Sequence, residues 1–210
     1  MRDQRSGVLT PSRERLAEAA KTLFAERGYE ATSTVSICRL AGTSESQLIK
    51  HFGSKQGILE ALFEYAWEQI NPAVRLATES IALPREKLRI TMEMVLNFLA
   101  KDVQLRTLFL LEARRVRGDG KLVVLVPGFL EFVKMVDEIL KQIADEGGLA
   151  ANIHPQALRS ALMGAIEGML RDQILATTSH FPATYADSDV RTICSTFLAA
   201  SLSKGEVSAR

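Results

Sequence analysis

Residues 41–55, "AGTSESQLIKHFGSK", decide how this chain is read. Gly42 breaks a helical pattern, Ser44 is a strong helix N-cap, and Gly53 stops what Ser44 starts. The piece between them is a helix of about two turns. So short a helix buries little for its length, and its exposed face is the reason to keep it. On a helical wheel Leu48 and Phe52 fall four apart and face inward. Ser46, Gln47 and Lys50 point the other way, with Glu45, Ile49 and His51 on the flanks. Ser44 and Gln47 have the spacing of a capping box. Hydroxyl, amide and ammonium groups on one free face suit a major groove, where they meet base edges and phosphates. The same pattern also fits a compact helical corner whose polar face meets only water.

The flanking segments narrow the choice. A first helix is expected over Arg13–Glu26, with Leu16, Ala19, Ala20, Leu23 and Phe24 as one buried stripe. Ser12 is its expected N-cap and Gly28 its end. A second is expected over Thr34–Ala41, capped by Ser33, with Ile37, Leu40 and Ala41 inward. Gly42-Thr43-Ser44 is then a tight turn that needs a glycine at positive φ. Helix, glycine turn and second helix with a polar free face make a helix-turn-helix over about 33–52. Ser54 caps a fourth helix, with Ile58, Leu59, Leu62, Phe63 and Ala66 inward, expected to fade near Asn71-Pro72. Lys55 sits at its positive N-terminal end, a ready phosphate site.

Behind this front segment, helices are expected at about 84–101, 103–116, 128–146, 155–177 and 187–203, and no segment alternates with period two. The fold class is all-α: an N-terminal three-helix helix-turn-helix unit and a larger C-terminal helical unit, divided within 70–84. Of 210 residues, 47% are hydrophobic and 24% charged, ordinary values for a folded protein. The net charge of +1 makes the whole chain no general polyanion binder. Residues 1–55, however, hold nine Lys and Arg against six Asp and Glu, so the positive end is at the front. Cys38 and Cys194 suit reduced, buried thiols. The first residues lack the apolar core of a signal peptide, and no apolar run approaches the ~18 residues of a membrane span. A cytoplasmic protein without membrane contact is expected. The three histidines have no metal-ligand spacing, and no nucleophile motif or phosphate loop is present, so neither an enzyme nor a cofactor is expected.

The stretch "SRERLAEAAKTLFAERGYEATSTVSICRLAGTSESQLIKHFGSKQGILEALFE" resembles the N-terminal domain of the tetracycline-repressor (TetR) family of transcriptional regulators. The matching features are "LFAERGYEATS", the "AG-x-S" turn, "L-x-x-HF" and the "SK" that opens the fourth helix. The resemblance implies a DNA-binding domain at 10–70 and a ligand-binding and dimerisation domain at 71–210. It places base-reading positions on Glu45, Ser46 and Gln47, and phosphate contacts on Ser33, Thr34, His51 and Lys55. Lys50 adds charge to the same face. Two departures stand out: Ile49 replaces a common tyrosine, and Glu45 is acidic where a neutral or basic residue is commoner. Arg2 and Arg5 fit an arm reaching DNA or simply a disordered start.

The family also implies a homodimer through the last two helices, a palindromic double-stranded operator, and repression relieved by an apolar small-molecule effector. Ala161, Gly164, Ala165 and Gly168 form a small-residue face, and Phe197 belongs to the apolar stripe Val190, Ile193, Cys194, Phe197 and Leu198. The alternative is that both helices serve only the core within one chain. Trp67, Met92, Met94, Phe98, Phe109 and Met135 fit either a cavity lining or plain core. Glu112, Arg115, Glu167 and Arg171 interrupt apolar helices, either to orient a ligand or to meet solvent and ion-pair partners. The rival functions are a ligand-independent regulator and a helical interaction module that uses the same polar face for a protein partner.

Overall fold

The computed structural model describes residues 11–113, 125–150 and 152–202. Among these, nine helices account for nearly all regular structure. They are α1 (Pro11–Arg27), α2 (Thr34–Ala41), α3 (Glu45–Phe52), α4 (Lys55–Thr78), α5 (Pro84–Lys101), α6 (Val103–Glu112), α7 (Pro127–Asp145), α8 (Pro155–Thr178) and α9 (Asp187–Ser201). The one β-type pairing described is an isolated bridge between Leu149 and Leu202. The all-α expectation holds.

The front helices close because their apolar stripes meet. Leu16, Ala20, Ile37, Leu48, Ile58 and Leu59 are all fully buried in one core. α1 packs on α2, α3 and α4 and reaches back to α6. Ser33 caps α2 reciprocally with Ser36. Ser54 caps α4 by accepting from the Gly57 N–H at 3.0 Å. Gly42 takes φ 60°, the left-handed conformation the turn requires.

Four local expectations are corrected. α1 begins at Pro11, a favoured first helical residue, so Ser12 is no N-cap; its hydroxyl lies 2.9 Å from Nε2 of His51. Leu40 is 56% exposed, and Cys38 takes the inward place beside Ile37 and Ala41. The Ser44–Gln47 capping box does not form, because the Ser44 hydroxyl pairs with Ser46 at 2.8 Å. Finally, α4 does not fade at Asn71-Pro72 but continues to Thr78. Pro72 lies on the exposed face, as does Glu68 one turn before it, so water can satisfy the carbonyl that proline leaves without a donor. Asn71, Val74 and Thr78 are buried on the opposite side and hold the extra turns in place.

The rear helices wrap that extension. α5 and α7 both pack on α4, and α8 packs on α6, α7 and α9. At the start of α7 the Asn71 amide donates to the Gly128 carbonyl at 2.9 Å, and the Glu64 carboxylate accepts the Gly128 N–H at 2.9 Å. A Cβ on Gly128 would stand 2.6 Å from Cβ of Trp67, so only glycine lets α7 press this close to α4. A second core of Leu96, Leu110, Ile166, Leu170, Ile174, Val190 and Cys194 joins α5, α6, α8 and α9. Both cysteines are free and buried. Burial pushes both thiols up, and the charge of Glu45 adds to this at Cys38. Residues 114–116 of the expected sixth helix, Arg115, Arg2 and Arg5 lie outside the described residues.

Candidate functional site

The exposed face of α3 is set by what lies beneath it. Leu48 is fully buried, and Phe52 is half-buried under the Arg13 guanidinium, 5.3 Å from the ring centroid. That anchoring turns Glu45, Ser46 and Lys50 out to solvent, with Gln47 at the edge of the same face. The Gln47 and Lys50 side chains make no hydrogen bond to other described residues, so their donors are open. Ile49 is 55% exposed.

Other proposed contact residues are tied into the fold. The Thr34 hydroxyl donates to Oε2 of Glu45 at 3.0 Å, so an expected phosphate contact and an expected base reader hold each other. Ser33 is exposed but engaged in its cap. His51 faces Ser12. Lys55 differs most from expectation. Its Nζ donates to the carbonyls of Tyr29 at 2.9 Å and Thr32 at 3.0 Å, and it stands 4.2 Å from the centre of the Tyr29 ring. It braces the α1–α2 connection against α4. Sequence reading found its place at a helix start but not its carbonyl partners, which are more than twenty residues away.

The rear helices line a partly open cavity of about 390 Å³. Phe63, Trp67, Phe109, Phe129 and Phe132 form an aromatic wall, with Trp67 against Phe109, Phe129 and Phe132 at centroid distances of 5.6, 5.4 and 4.9 Å. Thr91, Arg159, Ser160 and Glu167 are the polar lining among the described residues. Of the residues that the sequence left open between cavity lining, core and solvated charge, Trp67, Met92, Phe109 and Glu167 line the cavity. Phe98, Met94, Met135 and Glu112 do not. Met135 lies between the inward phases of Phe132 and Val136 and is buried in the core, while Glu112 is buried at 4% exposure and already partnered. Phe98 and Met94 pack on the core without reaching the void. Arg171 donates to the Leu110 carbonyl at 3.3 Å instead. Sequence reading missed Arg159, Phe129 and Phe132. The last two share an i, i+3 stripe with Val136, a signal that marks burial but not a void.

On the outer side of α8 and α9, Ala161 and Gly164 are exposed, while Ala165 and Gly168 are half-buried. A Cβ at Gly164 or Gly168 would meet nothing within 4 Å. Ile193 at 53% and Phe197 at 37% exposure stand on the neighbouring helix.

One carboxylate joins the front and rear helices. Asp102 caps α6 by accepting the Leu105 N–H at 2.9 Å, and its other oxygen accepts from the Lys21 ammonium of α1 at 2.9 Å. Burial opposes the charge of Asp102, but these contacts outweigh it and hold the carboxyl below its ordinary value of 3.8. Burial likewise opposes the charge of Lys21, and its bonds to Asp102 and Glu18 outweigh it, raising the ammonium above 10.5. The depressed Asp102 contributes stability above pH 3.8 that is lost as pH falls through its lowered value. The raised Lys21 contributes below pH 10.5 and loses it as pH rises through its raised value. The link is therefore intact across the neutral range.

Among the described residues no helix is long and apolar enough to cross a membrane, and no cluster of three or more His, Cys, Asp or Glu is placed to hold a metal. Residues 16–62 match the family model for bacterial regulatory proteins of the tetR family. The uncharacterised HTH-type transcriptional regulator YvkB of Bacillus subtilis is 39% identical over 54 residues, 26% of this chain and 29% of that protein. The HTH-type transcriptional activator FasR of Mycolicibacterium smegmatis is 31% identical over 103 residues, 49% of this chain and 44% of that one. Both alignments span less than half the length of the relative. The crystal structure of the transcriptional regulator FadR from Bacillus subtilis in complex with stearoyl-CoA superposes with a TM-score of 0.71 at 20% identity, covering 89% of this chain and 95% of that one. The helix-turn-helix at the front and these matches agree: residues 16–62 are a DNA-binding domain of the kind found in the tetR family of bacterial regulatory proteins, and the helical body behind it shares the fold of the superposed regulator.

Proposed function

We propose that this chain is a homodimeric transcriptional repressor that holds a palindromic double-stranded operator and leaves it when an apolar small molecule fills the rear cavity. In this reading 10–70 is the DNA-binding unit, 71–210 binds the effector and the second subunit, and the protein works in the cytoplasm beside its DNA. The observation that carries the reading is the face of α3: Leu48 is fully buried while Gln47 and Lys50 point away from it with open donors. Two such heads on a dyad read a palindrome, which one head of this size cannot do alone. The cavity is of a size and apolarity that suit a small ligand, and the stearoyl-CoA complex of a protein with this fold supports that use.

Gln47→Ala tests the head. We expect a loss of about 1–3 kcal/mol on the preferred site and a smaller loss on a site changed at the contacted base. Because the Ser44–Gln47 box does not form, the helix itself should survive, which circular dichroism checks. Equal losses on both sites would favour a protein-docking face over a reading head.

An effector acts only if the two head spacings bind it differently. α6 lines the cavity with Phe109 and is capped by Asp102, whose bond to Lys21 leads to α1. α1 in turn touches the reading helices through Arg15 to the Ala41 carbonyl at 3.0 Å and Ser12 to His51. Asp102→Asn keeps an N-cap and removes the charge. Isothermal titration of this variant should give unchanged effector affinity, while the effector's influence on operator binding shrinks several-fold, on the scale of a coupling of about 1–3 kcal/mol. Undiminished influence would place the coupling elsewhere.

A further inference from the structure

The cavity is not uniformly apolar, and its polar edge is specific. Arg159 is the only cation among its described lining residues. Its side chain is 19% exposed, and Nε lies 2.8 Å from Oδ1 of Asp137 on α7. Neither of those two atoms makes an aligned hydrogen bond, although both are buried. Asp137 is also drawn away through its other oxygen, which accepts from Gln156 at 3.3 Å. The outer nitrogens of the guanidinium have no hydrogen-bond partner among the described residues. A guanidinium held this way costs desolvation that its carboxylate neighbour only partly offsets. The adjacent Ser160, exposed at the rim of the same lining, adds a hydroxyl with no hydrogen-bond partner among the described residues.

Glu167 stands eight residues further along α8, on the order of 12 Å away, and it already has a partner in the fold. At that distance it does not compete for the guanidinium. The open polar capacity of the cavity is at Arg159 and Ser160, and the aromatic wall of Phe63, Trp67, Phe109 and Phe132 supplies the apolar space. A planar fork with free N–H groups matches a carboxylate in bidentate fashion.

We infer that the cavity takes an apolar monocarboxylate, its acid group on the Arg159 guanidinium and Ser160 hydroxyl and its apolar body against the Trp67 wall. This deepens the effector reading above and rests on it for its regulatory meaning. A neutral apolar molecule would fill the void but leave the guanidinium unsatisfied.

Trp67 is the single tryptophan of the chain, so its fluorescence reports the site directly. The full-length protein is titrated with octanoate and 2-naphthoate, and with 1-octanol and 2-naphthamide as neutral counterparts. The two acids distinguish an aliphatic from an aromatic body. Each acid that fits should bind roughly tenfold or more tighter than its neutral counterpart, the scale of one hydrogen bond to a charged group. Arg159→Gln should erase that preference. Asp137→Asn frees the guanidinium and should tighten acid binding, a gain that a purely structural ion pair would not produce. If Arg159→Gln fails to fold, Asp137→Asn decides alone. The proposal is overturned if neither acid binds, if neutral counterparts bind as well, or if Asp137→Asn leaves acid affinity unchanged or weaker. Operator binding is measured in parallel. Acids that bind through Arg159 without weakening operator binding leave the carboxylate site standing and remove the effector reading. Neutral compounds that release operator while the acids do not bind do the reverse.

Discussion

Gly168→Glu should give a folded monomer that no longer holds its operator. A Cβ at residue 168 meets nothing within 4 Å inside the chain, so the change should leave the subunit intact. The cost falls on whatever packs against α8 from outside. In a two-fold interface the change falls twice, so two new carboxylates are buried without partners. Exposed Ile193 and Phe197 on α9 would lose their cover in the same step. With one head per molecule, operator affinity should drop by roughly 10³ or more, toward the level of non-specific binding. Light scattering measures the mass, circular dichroism the fold and a gel-shift titration the affinity. A wild-type protein that is already monomeric at micromolar concentration would remove the dimer from the proposed function.

Lys55→Ala should unfold the reading head before it affects specificity. The lysine's place at the start of α4 suggests a phosphate contact whose loss lowers the salt slope by about one. The structure points to a larger effect. The ammonium satisfies two backbone carbonyls and stacks on the Tyr29 ring, and truncation leaves all three without that partner. A loss of about 2–4 kcal/mol is expected, since hydrogen bonds to a charged group are the strong ones. Thermal denaturation measures it, and operator binding should vanish with the fold. A variant that melts like the wild type and shows only a shallower salt dependence would return Lys55 to the phosphate-contact role.

The two-turn α3 was legible to the residue because its limits are local: Ser44 and Gly53 act on their own neighbours. The phase of α2 was not, since a helix of eight residues shows too little stripe to separate Leu40 from Cys38. The far end of α4 was misread because Pro72 is a local signal against a helix, while the contacts that override it, Asn71 with Gly128, span fifty-seven residues. The candidate site divides the same way. Gln47 and Lys50 follow from a wheel around Leu48. The bonds that engage Thr34, His51 and Lys55 depend on tertiary contact. The aromatic wall was only half visible, because the period of Phe129 and Phe132 marks them as buried without saying that a void lies beside them. Arg159, near the start of a helix and four residues after Pro155, reads as a solvated charge until Asp137 is seen beside it.

The pin between Asn71 and Gly128 has a mechanical consequence. It fixes α4 at a point sixteen residues from Lys55, on the order of 24 Å along the axis. Phe63 and Trp67 lie between, at roughly 12 and 6 Å from the same point. Glu64 holds the same Gly128 through a longer, rotatable side chain, so the helix can act as a lever with its fulcrum at residue 71 and the cavity's aromatic wall between fulcrum and head. A displacement of about 1 Å at Phe63 becomes about 2 Å at the head, a tilt of roughly 5°. Motion of that size requires no bending, and Pro72, which leaves out the backbone hydrogen bond to the Glu68 carbonyl, loosens the turn at the fulcrum itself.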